Sequence, residues 1–281
     1  MTSPAEDDVV APGILIAVVL GLVEGVTEFL PVSSTGHLVV ANRLLGHSDA
    51  TFEVAIQAGA ITAIVVLYWK RLWAALCGLF ARRTSWTSNL LVLIVAAAFP
   101  AAVLGLFLDD AIDAALFRPS VVAGTMVVGG VLLLWLESWL RRRGAERGEG
   151  LERLGLRQAI GIGLFQCLAL IPGTSRSGAT IAGGLLLGLT RTAAAEFSFL
   201  VGLPILYGAC TLKLFKARHL LHGDYLRDLS IAAVVSFVTA ILVVIPFVRF
   251  LQRHTFVPFA WYRIAAGIAL AILIARGVLA V

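Results

Sequence analysis

The stretch "EGVTEFLPVSSTGH" occupies Glu24–His37. It sets two glutamates, a run of three hydroxyls (Ser33, Ser34, Thr35), a proline and a histidine between apolar flanks, "GILIAVVLGLV" (Gly13–Val23) and "LVVANRLLG" (Leu38–Gly46). Pro31 cannot continue a helical ladder, and Ser33, Ser34 or Thr35 can cap a helix that restarts after it. The apolar region 12–46 is therefore cut into two short helices. Neither reaches the roughly 20 residues that a full membrane crossing needs. Irregular backbone at membrane depth is tolerated only where protein buries it or a cavity receives it. The region reads as a re-entrant helical hairpin whose tip carries the polar residues.

The rest of the chain supports a membrane setting. Of 281 residues, 59% are hydrophobic and 14% charged, and the mean hydropathy is +0.95; a soluble domain is about a quarter charged. Six segments are long enough to cross, at about 51–69, 89–108, 119–140, 192–215, 229–250 and 257–280. A second broken region spans 157–189, cut at Pro172–Gly178. Glu6, Asp7 and Asp8 leave the start without the basic segment of a cleavable signal peptide. Cys77, Cys167 and Cys210 lie apart, without metal or disulfide spacing. The net charge of +5 suits loops facing anionic lipid better than nucleic acid.

The two broken regions resemble each other at a shift of about 142 residues, with Glu24 opposite Gln166 and Ser33–Gly36 near Ser175–Gly178. Each half is then one hairpin plus three crossings. A hairpin returns to its own side and three crossings reverse sides, so the halves have inverted topology and the two tips can meet near the midplane. The expected fold is a single all-α polytopic membrane domain of two inverted-topology repeats, about 12–140 and 157–280, joined by a cytoplasmic linker at about 141–156. Thirteen Lys and Arg fall in the connections of one face, including 70–83 and 141–157, and seven in those of the other. The first face is expected in the cytoplasm, and the mouth of hairpin one outside. The stretch 141–157 reads as a solvated loop, and Trp69, Trp73, Trp135 and Trp139 as an aromatic belt.

At the tips, Glu24 and Glu28 stand four apart and share a helix face. A pair at a helix end can snorkel to headgroups, but apolar residues on both sides favour burial, and ionisable groups at depth are functional candidates. One carboxylate can hold a cation or a proton while the other serves as base. A serine at a helix N-terminus beside a base has the makings of a nucleophile. His37 reads equally as a capping histidine. In "PGTSRSGAT" (Pro172–Thr180) Arg176 sits among Gly173, Thr174, Ser175, Ser177 and Gly178, in a loop that opens a helix. Exposed N–H groups, a positive helix end and a guanidinium make a phosphate cradle. Glu53 and Glu196 occupy loosely matching positions, as braces or as interfacial charge.

With these motifs in place, the chain resembles the undecaprenyl-diphosphate phosphatase family, also called the bacitracin-resistance family. Glu24-Gly25-Val26-Thr27-Glu28 matches its (E/Q)xxxE motif and Pro172–Thr180 its PGxSRSxxT motif. The resemblance extends through "TFEVAIQAG", "GLFQCLALIPG", "AEFSFL" and "FVPFAWYR". It implies hydrolysis of undecaprenyl diphosphate to the monophosphate and inorganic phosphate in the bacterial inner membrane, with bacitracin concerned only through the shared substrate. It implies a divalent cation, Mg2+ or Ca2+, placed by Glu24 and Glu28. Ser34 is expected as nucleophile, Glu28 as its base, Arg176 as phosphate clamp and His37 as a further catalytic group. Substrate contacts are expected from Ser33, Thr35, Gly36, Gly173, Thr174, Ser175, Ser177, Gly178 and Thr180. Attack by a water, with His37 as general acid, is the alternative chemistry. A secondary transporter or lipid translocator is the alternative class, since inverted repeats with broken helices are a transporter design. Small-xxx-small patterns such as Gly184–Gly188 suit packing within the chain or a homodimer face.

Overall fold

A computed structural model describes residues 11–47, 49–80, 86–142 and 148–278, with no side-chain description at 109–111 and 113. The acidic residues at 6–8 and several basic residues of the connections (Arg82, Arg83, Arg143, Arg147) lie outside that set. Eleven α-helices form the described chain: α1 (Ile14–Thr27), α2 (Ser34–Leu45), α3 (Ala50–Leu67), α4 (Trp69–Phe80), α5 (Leu90–Leu116), α6 (Pro119–Arg142), α7 (Leu156–Gln166), α8 (Arg176–Leu186), α9 (Arg191–Lys216), α10 (Gly223–Leu251) and α11 (Val257–Ala275). Among the described residues, six are long and apolar enough to cross a membrane: α3, α5 over Leu90–Leu108, α6, α9, α10 and α11. These are the six expected segments, with α10 starting earlier than expected and α11 ending at Ala275.

Helices α1 and α2 form one hairpin and α7 and α8 the other, and neither runs straight on into a crossing. Their neighbours correspond when the halves are exchanged. α1 packs on α10 and α7 on α5, while α3 meets α9 and α6 meets α11 across the middle. Small residues permit the closest approach. A Cβ at Gly21 would stand 2.5 Å from Ala232 O and one at Gly25 would stand 2.6 Å from Ser236 O, so α1 lies with its backbone against α10. Gly184 packs on Ala194 of α9 and Gly188 ends the hairpin at φ 91°, so that pattern is used within the chain.

Two features depart from the sequence reading. The connection after α3 holds a further helix, α4, with no buried residue and with Trp69, Trp73 and Phe80 exposed. Lys70 and Arg71 stand in its first turn and an apolar run follows, so it forms a surface helix within a connection read only as a basic one. The linker, likewise, is not wholly a solvated loop. Over 148–156 it is pinned to the end of α8, with Glu149 N donating to Gly188 O (2.8 Å) and Thr190 N to Glu149 O (3.0 Å). Leu151 and Leu154 insert into the core, because alternate apolar residues in a charged stretch still seek burial.

Candidate active site

Both hairpins turn on the same device. After α1, Glu28 still donates its N–H to Glu24 O, and Pro31 then forces the chain out of the helix. Ser33 takes φ 71°, ψ 98° and its Oγ accepts from Gly36 N, opening α2. After α7, a short 3-10 turn (Cys167–Leu170) leads to Ser175 at φ 70°, ψ 110°, whose Oγ accepts from Gly178 N and opens α8. These are the only positive-φ residues other than glycine among the described residues. Positive φ in a side-chain-bearing residue costs on the order of 1–3 kcal/mol and gathers at functional sites. Each break leaves the first N–H groups of its helix without intrahelical partners, at the positive end of a helix dipole.

The two breaks join through side chains. Ser34 Oγ donates to Glu28 Oε2 at 2.8 Å, and Arg176 Nη2 donates to Glu28 Oε1 at 3.0 Å. Arg176 Nη1 donates to Ser198 O of α9 at 2.7 Å, and its guanidinium lies over the Phe29 ring. The space it fills exists because residue 202 is glycine; a Cβ there would fall 2.7 Å from the guanidinium carbon. Ser177 Oγ donates to Leu30 O (2.9 Å), binding the second break to the first. Thr180 Oγ1 bonds Ser198 Oγ at 2.6 Å. Arg176 keeps its Nε buried and unpartnered, a donor held in reserve.

Glu24, one turn before Glu28, is fully buried, and neither carboxylate oxygen has a hydrogen-bond partner. An uncompensated carboxylate at that depth is costly unless it meets a proton or a cation. Oxygen donors suit Mg2+ or Ca2+, and Mg2+ is commonly held by one or two carboxylates together with substrate phosphate and water. The described residues include no group of three His, Cys, Asp or Glu that would hold a metal unaided. The Glu24–Glu28 pair fits a divalent cation of that shared kind.

Ser34 and Thr35 line a cleft of about 500 Å³ with Glu53, Gln57 and Lys213. Glu53 accepts a hydrogen bond from Asn42, and Asp49, capping α3, receives Tyr225 OH at 2.6 Å. His37, one turn on from Ser34, bonds outside the Glu28–Ser34–Arg176 chain. Its Nδ1 meets Ser33 O at 2.7 Å and its Nε2 meets Tyr262 OH at 2.6 Å. Since Ser33 O only accepts, Nδ1 carries the proton and Nε2 accepts from the phenol. His37 and Tyr262 head an apolar groove of about 410 Å³ running along Val40, Ala41, Leu44, Leu270 and Leu273. Glu196 is paired with Arg71 at 2.8 Å.

Sequence reasoning placed Glu24, Glu28, Ser34 and Arg176 at the tips but missed Ser198, Phe29, Asn42 and Tyr262. Ser198 and Asn42 are lone polar residues in helical runs, a signal present but weak. Arg263 was a stronger one, a guanidinium inside a crossing helix.

The architecture defines a class: a multi-pass helical membrane protein in which two broken helices meet through a Ser–Glu–Arg chain. Residues 17–269 match the family model described as Bacitracin resistance protein BacA, and the chain belongs to that family. A protein of Acidovorax ebreus named undecaprenyl-diphosphatase is 47% identical over 258 residues, covering 91% of this chain and 93% of its own. Another of the same name, from Novosphingobium aromaticivorans, is 48% identical over 263 residues, covering 90% and 95%.

Proposed function

We infer that this chain is a membrane phosphatase that hydrolyses undecaprenyl diphosphate to undecaprenyl phosphate and inorganic phosphate. The observation that carries the chemistry is the Ser34–Glu28–Arg176 chain, which links a hydroxyl, a carboxylate and a guanidinium from both breaks. The terminal phosphate takes the Arg176 fork and the open N–H groups at the starts of α2 and α8. Arg176 Nη2 then leaves Glu28 for phosphate oxygen, and Glu28 keeps Ser34 as its donor. Ser34 Oγ attacks the terminal phosphorus and its proton passes to Glu28. The bond from that phosphorus to the bridging oxygen breaks, and undecaprenyl phosphate departs. A water cleaves the phosphoseryl ester, releasing phosphate and restoring the serine. Glu24 and Glu28 would hold a divalent cation, which when bound neutralises charge developing on the phosphates. Ser33 and Ser175 fix the two breaks, Thr35 offers a hydroxyl beside them, and Ser177 ties the second break to Leu30 O. His37 acts first as a brace, since its ring is committed to Ser33 O and Tyr262. The prenyl chain leaves along the apolar groove below that pair.

The exchanged packing of the halves supports inverted repeats, and the excess of Lys and Arg in the connections of the opposite face favours a first hairpin entering from the outer, periplasmic side of the inner membrane. The headgroup then need not cross the low-dielectric core. Nothing in the site favours a transporter over the enzyme. The test is phosphate release from a prenyl diphosphate by purified protein in detergent, with and without chelator; absence of release with added Mg2+ or Ca2+ refutes the reading. Sidedness is tested in a variant lacking Cys77, Cys167 and Cys210. Glu152→Cys and His219→Cys, both at exposed positions, are treated in whole cells with an impermeant thiol reagent. Labelling at 219 alone is expected, and labelling at 152 alone overturns the orientation.

A further inference from the structure

Of the 22 lysines and arginines, twenty fall in or beside the connections between helices; the other two are Arg176 and Arg263. Arg263 lies in the second turn of α11 and is 2% exposed. It has no carboxylate partner among the described residues. Its donors go to four carbonyl oxygens instead. Nη2 reaches Thr174 O at 2.9 Å, Gly173 O at 3.2 Å and Thr125 O at 3.2 Å, and Nε reaches Met126 O at 3.4 Å. The third carbonyl of that loop, Pro172 O, accepts from Thr125 Oγ1 at 2.7 Å. Two glycines clear the space: a Cβ at Gly129 would collide with Nη2, and one at Gly178 would stand 2.8 Å from Nη1.

We propose that Arg263 is a positioning residue for the phosphate clamp, setting the Pro172–Ser175 loop so that the Ser175 amide N–H and Arg176 face the substrate. A trans peptide holds its C=O and N–H antiparallel. Drawing Thr174 O toward α11 therefore turns the N–H of Ser175 to the opposite side, while Thr174 N donates within the loop to Ile171 O at 3.2 Å. The same pull holds Ser175 at its strained φ of 70°, from which Arg176 begins α8. A lone buried guanidinium also adds an uncompensated positive charge behind the loop, which an incoming anion offsets. The guanidinium spans Met126 O through Nε and the loop carbonyls through Nη2, a spread that one ammonium nitrogen cannot match.

The proposal rests on the reading of Arg176 as the clamp, so the experiment separates the two. Arg263→Lys, Arg263→Met, Arg176→Lys and the Arg263→Lys/Arg176→Lys pair are purified in detergent. Monodispersity and thermal midpoint are measured beside kcat and KM for a prenyl diphosphate. Inhibition by inorganic phosphate supplies a binding readout independent of turnover. Arg263→Lys is expected to stay monodisperse, to lose about tenfold in kcat/KM and to weaken phosphate inhibition. Adding it to Arg176→Lys should cost less than about threefold more, since residues acting as one unit are not additive. Arg263→Met, if it folds, should fall below Arg263→Lys. Normal turnover and phosphate inhibition per folded molecule of Arg263→Lys, or losses that simply multiply with Arg176→Lys, overturn the proposal. An Arg263→Lys protein that does not fold assigns the residue to the scaffold and overturns it too. Wild-type rates in Arg176→Lys remove the clamp reading itself. An impaired Arg176→Lys beside a normal Arg263→Lys removes only the positioning role.

Discussion

The two helix breaks share a backbone and divide the chemistry. Ser33 and Ser175 hold nearly the same strained φ, 71° and 70°, and each caps the glycine three residues on. At the shift of 142 residues the side chains then differ in kind: Glu24 faces Gln166 and Ser34 faces Arg176. One break brings carboxylates and a hydroxyl, the other a guanidinium and its glycine-serine loop. Neither has a complete site, and Glu28 holds them together by accepting from both Ser34 and Arg176. Such a division separates two demands: the backbone strain that opens helix ends is repeated, while charge of each sign is placed once.

The comparison breaks hardest at that junction. Ser34→Ala and Glu28→Gln should each lower kcat by about 10²–10³-fold, and the double variant should be little worse than either. Phosphate release under single-turnover conditions reads this, and robust turnover in Ser34→Ala alone would assign the attack to water. Next comes Arg176→Lys, which keeps the charge and loses the fork; at least about a tenfold loss is expected, measured as kcat/KM.

Exchanging the acid and amide between halves sharpens the point. Glu24→Gln should lose at least about tenfold in activity while its thermal midpoint holds or rises, because a buried carboxylate without partners is removed. Gln166→Glu should gain no activity and lose about 1–3 kcal/mol of stability, since it places a carboxylate beside Ala97 O. Equal stability in the two variants would mean that the halves do not differ in what they bury. The smallest effects belong to the strained serines. Ser→Gly at 33 or 175 relieves the φ and loses the cap, for a net change within about 1 kcal/mol; Ser→Ala keeps the strain and loses the cap, costing about 1–2 kcal/mol. Thermal midpoints in the order Ser or Gly above Ala at both positions would support one shared device.

What was legible in the sequence was local. Pro31 and Pro172 announce the breaks, and the apolar runs announce six crossings, because both signals sit within one window of residues. The motif spacing likewise brings Glu24, Glu28, Ser34 and Arg176 to the tips. Hidden were partners fixed only by packing: Ser198 O for Arg176 and Tyr262 for His37. Arg191 is one of the thirteen basic residues assigned to the connections of one face, yet it binds the buried Glu137 at 3.0 and 2.7 Å, and Glu137 also accepts from Phe256 N. That knot ties α6, α9 and the start of α11 across 54 and 119 residues, which no periodicity reports. The positive φ at Ser33 and Ser175 was hidden for another reason. Serine does not announce that conformation, as glycine would, so only the surrounding contacts impose it.

With Arg176 as the phosphate clamp proposed above, the Glu28–Arg176 pair means that the resting protein occupies its own receptor. A tethered carboxylate competes with every incoming phosphate at an effective concentration set by the fold, and a free phosphate has no such tether. Retention of the inorganic product is therefore opposed from within, and the guanidinium is reclaimed as each turnover ends. A substrate prevails because its prenyl chain is already concentrated in the bilayer beside the groove. Removing the competitor, as in Glu28→Gln, should yield a protein that binds inorganic phosphate more tightly while it turns over more slowly.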